Sequence, residues 1–273
     1  MRSMKMAVLT LMAALTVGCI SVDSVVKVKA DGTGTLEQTM LINTSAMGMM
    51  SMMGGGEGKA GAPKLDPTTM FSKEKLAAEA ASMGEGVTFV SSEPVTQGEM
   101  KGVKAIYAFK DFNTLSVSTA LPDMDQGSMQ AKGKGEKLPM VLTRKGGTSV
   151  ITMDMLNEHA KAEAKGDTVK KPEGTPEMPK EMMAMLAPMF KDMRVAISLE
   201  PQGTLVRTNA THVQGQRITL FDVAFGEIFA DPKGVEKLEA LGNNPSIDQI
   251  RTALKGMKGI KINEVEKLEI EFK

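Results

Sequence analysis

Few side chains in this 273-residue sequence can do chemistry: one cysteine, Cys19, two histidines, His159 and His212, and 25 methionines, beside nine phenylalanines, one tyrosine and no tryptophan. A serine–histidine triad would have to recruit His159 or His212, and neither stands near a nucleophile-elbow sequence. There is no Gly-x-x-x-x-Gly-Lys-Ser/Thr loop, dinucleotide fingerprint, His-Glu-x-x-His helix or Asp-rich calcium loop. Asp111, Asp222 and Glu227 are the carboxylates set closest to apolar residues, and each reads as a turn or helix-end residue. A lone cysteine has no disulfide partner, so its thiol is free for another use. The sequence therefore points away from an enzyme.

Ten of the methionines fall into two clusters. Met47, Met49, Met50, Met52 and Met53 run into Gly54-Gly55-Gly56, and Met182, Met183, Met185, Met189 and Met193 surround Leu186, Pro188 and Phe190. In the second cluster Met182, Met185, Leu186, Met189 and Met193 share one helical stripe, which Pro188 should kink or end. Thioether side chains are flexible and polarizable, and suit irregular cores or adaptable apolar surfaces. Three readings follow: plain packing, contact with lipid or another hydrophobic ligand, and copper(I) binding. The candidate ligand contacts are Met49, Met50, Met53, Met182, Met185, Met189 and Phe190. Soft-metal sites are commonly completed by cysteine or histidine, and neither lies beside these clusters, so the leading reading has no metal and no cofactor.

The amino-terminal stretch positions the cysteine. Arg2 and Lys5 precede an apolar run from Met6 to Val17 broken only by Thr10 and Thr16, and Gly18 precedes Cys19. A run this short does not span a hydrocarbon core of about 30 Å as a helix, but it suits the hydrophobic region of a secretory signal. Thr16-Val17-Gly18-Cys19, with Leu15 upstream, resembles the lipobox of bacterial lipoproteins, although Thr16 stands where leucine is preferred. The resemblance implies removal of residues 1–18, acylation of Cys19 and lasting attachment to a membrane, since more than one acyl chain exceeds marginal binding. Ile20 and Ser21 follow the cysteine. By analogy with enteric sorting, the absence of aspartate there implies the outer membrane, facing the periplasm.

The mature chain, residues 19–273, is long enough for a substantial core. A linker over 157–178, rich in Lys, Glu, Gly and Pro and containing His159, would allow a division into 20–156 and 179–273. Lys+Arg and Asp+Glu both number 33, which gives no global field for nucleic acid. Scarce aromatics argue against a base-stacking surface.

Period-two patterns dominate. Residues 22–30 read as a strand with Val26 and Val28 on one face and Lys27 and Lys29 on the other, and Asp31-Gly32-Thr33-Gly34 turns it into a second strand through Leu36, Met40 and Ile42. Ser72 caps a helix to about Met83, stapled by Phe71 and Leu76 and stopped at Gly84. Strands are expected over 87–91, over 103–109 as an internal strand, and near 115–118, with 94–102 as a turn region. Further strands are expected over 139–143 and 149–155 around Gly146-Gly147, and over 195–199, 204–209 and 216–221. Residues 222–231, 235–241 and 246–255 suggest helices, and 265–272 a closing strand with Leu268, Ile270 and Phe272 inward. Residues 122–137 and 157–178 read as flexible polar loops.

Pro201-Gln202-Gly203, Thr208-Asn209-Ala210-Thr211 and Gly215 to Leu220, together with the opening Asp-Gly-Thr-Gly hairpin, resemble a recurrent hairpin of bacterial lipoprotein domains of the LppM type. The match covers about 60 residues, inserts Gln202, and has Leu220-Phe221 where tryptophan is common. It implies an α+β domain of antiparallel hairpins forming a curved sheet with helices packed on one face, and lipid binding without catalytic residues. The sequence thus leads to a non-enzymatic, membrane-anchored envelope lipoprotein that holds lipid in an apolar cavity. The alternatives are a structural or partner-binding lipoprotein and a periplasmic copper(I) binder.

Overall fold

A computed structural model describes residues 20–44, 70–117, 138, 140–154, 191–241 and 252–273. The fold is α+β, and its strands divide between two sheets. The larger has the order β11 (Ile260–Ile262), β10 (Arg217–Ala224), β7 (Arg194–Gln202), β1 (Ile20–Lys29), β2 (Gly34–Asn43), β4 (Met100–Phe109), β3 (Thr88–Gln97), with short β9 (Val213–Gln214) also on β10; the smaller has the order β5 (Met140–Lys145), β6 (Thr148–Asp154), β12 (Lys267–Phe272), β8 (Leu205–Thr208).

The opening hairpin forms as its pattern dictates. β1 (Ile20–Lys29) pairs antiparallel with β2 (Gly34–Asn43), placing Ile20 opposite Ile42 and Val26 opposite Leu36. Asp31 holds the turn by accepting from the Thr33 backbone N–H (2.9 Å) and hydroxyl (2.7 Å). β4 (Met100–Phe109) lies against β2 and is internal, with β3 (Thr88–Gln97) outside it. Pro94 sits within β3 rather than in a turn: β3 is an edge strand, where a missing N–H is tolerated, and the reversal is confined to Gly98 and Glu99. Residues 115–117 are not a strand. Leu115 and Val117 are buried, but the Ser116 N–H donates to the Met83 carbonyl instead of a strand neighbour.

The sheet is not purely antiparallel. β7 (Arg194–Gln202) runs parallel to β1, with Ser21 opposite Arg194 and Val28 opposite Pro201. β10 (Arg217–Ala224) pairs with β7, and β11 (Ile260–Ile262) with β10. Asp222 therefore lies in a strand; the helix expected there starts later, as α2 (Phe225–Phe229), followed by α3 (Pro232–Leu241), where Asp231 accepts from the Lys233 N–H at 3.0 Å.

The strands near Gly203 separate. β8 (Leu205–Thr208) pairs with β12 (Lys267–Phe272) and not with β10. Thr204 and Lys273 exchange backbone bonds of 2.7 and 3.0 Å, and a Cβ on Gly203 would lie 2.4 Å from the Lys273 carbonyl oxygen, so the glycine allows this close pass. Asn209 completes the edge: its side-chain Oδ1 accepts from the Glu269 N–H (2.8 Å) and its side-chain Nδ2 donates to the Lys267 carbonyl (2.8 Å). β5 (Met140–Lys145) and β6 (Thr148–Asp154) form the hairpin expected around Gly146-Gly147, whose φ values are +55° and +88°, and β6 pairs with β12.

Strands from residues 20–156 and from 179–273 thus share both sheets, β1 with β7 and β6 with β12. Val26, Val28, Leu199 and Ile218 of the large sheet join Ile151, Leu268, Ile270 and Phe272 of the small one in one continuous core. α1 (Lys73–Ala80), capped by Ser72, adds Leu76 and Ala80, and the short 3-10 turn Ala81–Met83 adds Met83. Burying side chains of this size stabilises by about 1.5–3 kcal/mol each before entropy is counted.

Candidate functional site

The site follows from where β1 begins. Ile20 is fully buried and enters the sheet at once, between β2 and β7. In sequence, residue 19 therefore immediately precedes a strand in the middle of the large sheet.

The neighbouring strand ends meet there. β2 ends at Asn43, beyond which the chain continues towards Met49, Met50 and Met53; β7 starts at Arg194, shortly after Met182, Met185, Met189 and Phe190. Asn43 donates its side-chain amide to the Asp192 carboxylate at 3.3 Å. Since β2 and β7 both neighbour β1, and adjacent strands are about 4.8 Å apart, the two exits lie roughly 10 Å from each other with residue 20 between them.

The entry to β7 is fixed by packing. Met193 is buried, and its carbonyl accepts from the Phe225 N–H at 2.9 Å. A Cβ on Gly226 would fall 2.3 Å from the Lys191 carbonyl oxygen, so α2 and residues 191–193 approach as closely as glycine permits.

Charge around this end is neutralised locally. Arg194 grips the buried Asp222 carboxylate with two bonds of 2.8 and 3.0 Å, and Lys261 stands 3.7 Å from it. The hydrogen bond to Asp222 holds the Arg194 guanidinium even more firmly protonated than usual. Lys258 pairs with Glu227 at 2.8 Å. These ion pairs frame the end of the sheet.

Cys19, Met49, Met50, Met53, Met182, Met185, Met189, Phe190 and His159 lie outside the described residues, as do the stretches expected as flexible loops. What is described is the set of strand ends that leads to them. Asp111 stands apart from Asp222: it accepts from the Asn113 N–H at 2.9 Å in a turn whose Phe112 N–H bonds to the Gly32 carbonyl beyond the end of β1, whereas Asp222 holds Arg194, opposite Ser21 at its start. Half-buried His212 accepts the Thr219 N–H through its own backbone carbonyl. Among the described residues, no group of three or more His, Cys, Asp and Glu side chains could hold a metal, and no helix is long and apolar enough to cross a membrane. Sequence reasoning missed the Asn43–Asp192 bond; its one local signal is a polar residue ending each apolar strand pattern.

Two depressions lie towards the opposite end of β1. One, of about 440 Å³, is lined by residues including Glu200, Gln202, Gln214 and Arg217, and the other, of about 320 Å³, by residues including Lys27, Lys29, Thr35 and Gln202. Both are open to solvent; the first has a mainly polar lining, and the second, which also takes in Ala108 and Phe109, is of mixed character.

No family model matches the chain, and no curated protein matches it. Among solved structures, the folded domain of the Mycobacterium tuberculosis LppM protein, determined by NMR, aligns over 93% of this chain and 90% of that one, with a TM-score of 0.32 and 9% identity. A likeness that low transfers neither topology nor function.

Proposed function

We propose that the protein is a non-enzymatic envelope lipoprotein, held to a bacterial membrane, most simply the outer one, through acylated Cys19, whose membrane-facing end takes up lipid or another hydrophobic ligand. The observation that supports this reading is the convergence at one end of the large sheet. Ile20 sits between Ile42 and the start of β7, and Asn43 bonds to Asp192 across the end of β1. An anchor on residue 19 would set that end against the bilayer, and both methionine-rich stretches attach to the chain there. Flexible thioethers suit contact with acyl chains.

A second reading, a structural or partner-binding lipoprotein without a small-molecule ligand, has its own support. The described interior is one continuous core, and the two depressions are open to solvent rather than enclosed.

The test compares the full chain with Cys19→Ala. The full chain should stay with the membrane pellet through a high-salt wash, and the variant should be released. Equal retention of both would overturn the anchor. Native mass spectrometry of the released variant, with organic extraction of the same sample, then separates the ligand readings. An added mass that extracts as lipid supports uptake, a bare protein mass moves the assignment to the second reading, and an added mass of copper moves it to thioether metal binding.

A further inference from the structure

The two sheets meet solvent differently. On the outer face of the large sheet charges are paired within the chain: Glu37 with Lys27 and Lys104, Asp222 with Arg194, and Asp23 with Arg217. The outer face of the small sheet has an uncharged centre. Leu142, Ile151 and Ile270 are buried on its inner face, so the alternation of a strand turns Val141 and Thr143 of β5, and Val150 and Thr152 of β6, outward. The register sets Val141 beside Thr152 and Thr143 beside Val150, which makes a square of four β-branched side chains. Val141 is 48% exposed, Thr143 is exposed, and the other two are half-buried.

Unpaired charges stand at the margin of this square. Lys145 lies beyond Thr143 at the end of β5, and Glu269 of β12 lies beside Thr152. Both are exposed, and neither has an ion-pair partner among the described residues. Glu271, beside Val150, is already paired with Arg207 at 3.5 Å. The edge of β5 is closed to a further strand at its middle, where Asn113 Oδ1 accepts from the Leu142 N–H (2.7 Å) and Asn113 Nδ2 donates to the Leu142 carbonyl (3.2 Å). Contact on this side of the molecule is left to the face of the sheet.

We propose that the outer face of the small sheet is a docking surface for a second copy of this chain. The charges select that occupant. A two-fold axis through the middle of the square, at about 45° to the strands, stacks the square on its copy, with the strands of the two sheets crossing at near right angles. With strands about 4.8 Å apart and about 3.3 Å per residue, Lys145 of each copy then falls roughly 3 Å, in projection, from Glu269 of the other. The symmetry makes this contact twice, and the β-branched side chains of both copies fill the space between the sheets. The face is only about 20 Å on a side, which suits a weak, reversible pair rather than an obligate dimer. The docking surface goes beyond the membrane reading and does not rest on it, since all its members lie in the described fold.

The test uses the full chain carrying Cys19→Ala, so that acyl anchors cannot bring copies together, and follows its mass by sedimentation equilibrium from micromolar to millimolar loading. The mass should rise from one chain towards two. Lys145→Glu should weaken the association by about tenfold, because repulsion replaces attraction at two equivalent places. Adding Glu269→Lys to that variant should restore it. Val141→Lys puts a charge into the square and should leave a single chain at every concentration. Each substituted side chain is exposed, so the fold does not rest on it. The docking surface is overturned by a mass of one chain throughout, by an association that Lys145→Glu or Val141→Lys leaves unchanged, or by a double variant that stays as weak as Lys145→Glu.

Discussion

The Asn43 side-chain amide reaches the Asp192 carboxylate at 3.3 Å, joining the last residue of β2 to the approach of β7 across the start of β1. The bond ties two stretches of chain that are remote in sequence to the end of the sheet where β1 begins at Ile20.

Removing the acceptor tests that tie. Asp192→Ala should lower the stability of the fold by about 1 kcal/mol, the usual loss for a hydrogen bond with one charged partner near the surface, while Asp192→Asn should retain much of it. Urea denaturation followed by circular dichroism checks this; equal midpoints for wild type and Asp192→Ala would show that the contact contributes nothing.

Glu37 sets part of the acid limit. On the solvent side of the large sheet it accepts from Lys27 at 2.5 Å and from Lys104 at 2.9 Å. Partial burial pushes its carboxyl up, but the two lysines outweigh burial and leave it below 4.5. A lowered carboxyl gives stability above its unfolded value and loses it as pH falls through the folded one. Stability should therefore decline as pH drops below 4.5, and Glu37→Gln should flatten this limb; thermal melts between pH 3 and 6 measure the difference.

Gly226 holds α2 against residues 191–193. Gly226→Ala would bring a methyl to 2.3 Å from the Lys191 carbonyl, so the backbone must move. The expected cost is about 1–3 kcal/mol, as for other overpacked sites. Exchange protection should be lost first at the Phe225 N–H, which donates to the Met193 carbonyl; a loss spread evenly over the whole sheet would count against the local origin.

Elements whose pairing is local were legible in the sequence. The Asp31 to Gly34 turn, the Ser72 cap, the Gly146-Gly147 hairpin and the inward Leu268, Ile270 and Phe272 each carry their signal within a few residues. Pairings set by distant chain were not legible. Nothing in Val195 to Leu199 announces a parallel partner in β1, and nothing in Leu205 to Thr208 says that it will leave for β12. β11 is too short, at three residues, to show a period of its own. Pro94 misled because proline marks turns more often than edge strands. At the candidate site, residue type alone singled out Cys19. The bond between Asn43 and Asp192 depends on which strands become neighbours, and local patterns do not encode that.

The parallel pairing of β1 with β7 also has a consequence in time. β1 emerges early, yet the flank that β7 will cover stays bare until roughly 170 further residues have followed, and closing so long a loop is slow. During that interval the chain presents an open row of backbone donors and acceptors, the kind of edge that recruits other chains. Folding must therefore proceed with a half-finished sheet exposed, and the yield of this protein should depend on whatever occupies that edge while the rest of the chain arrives.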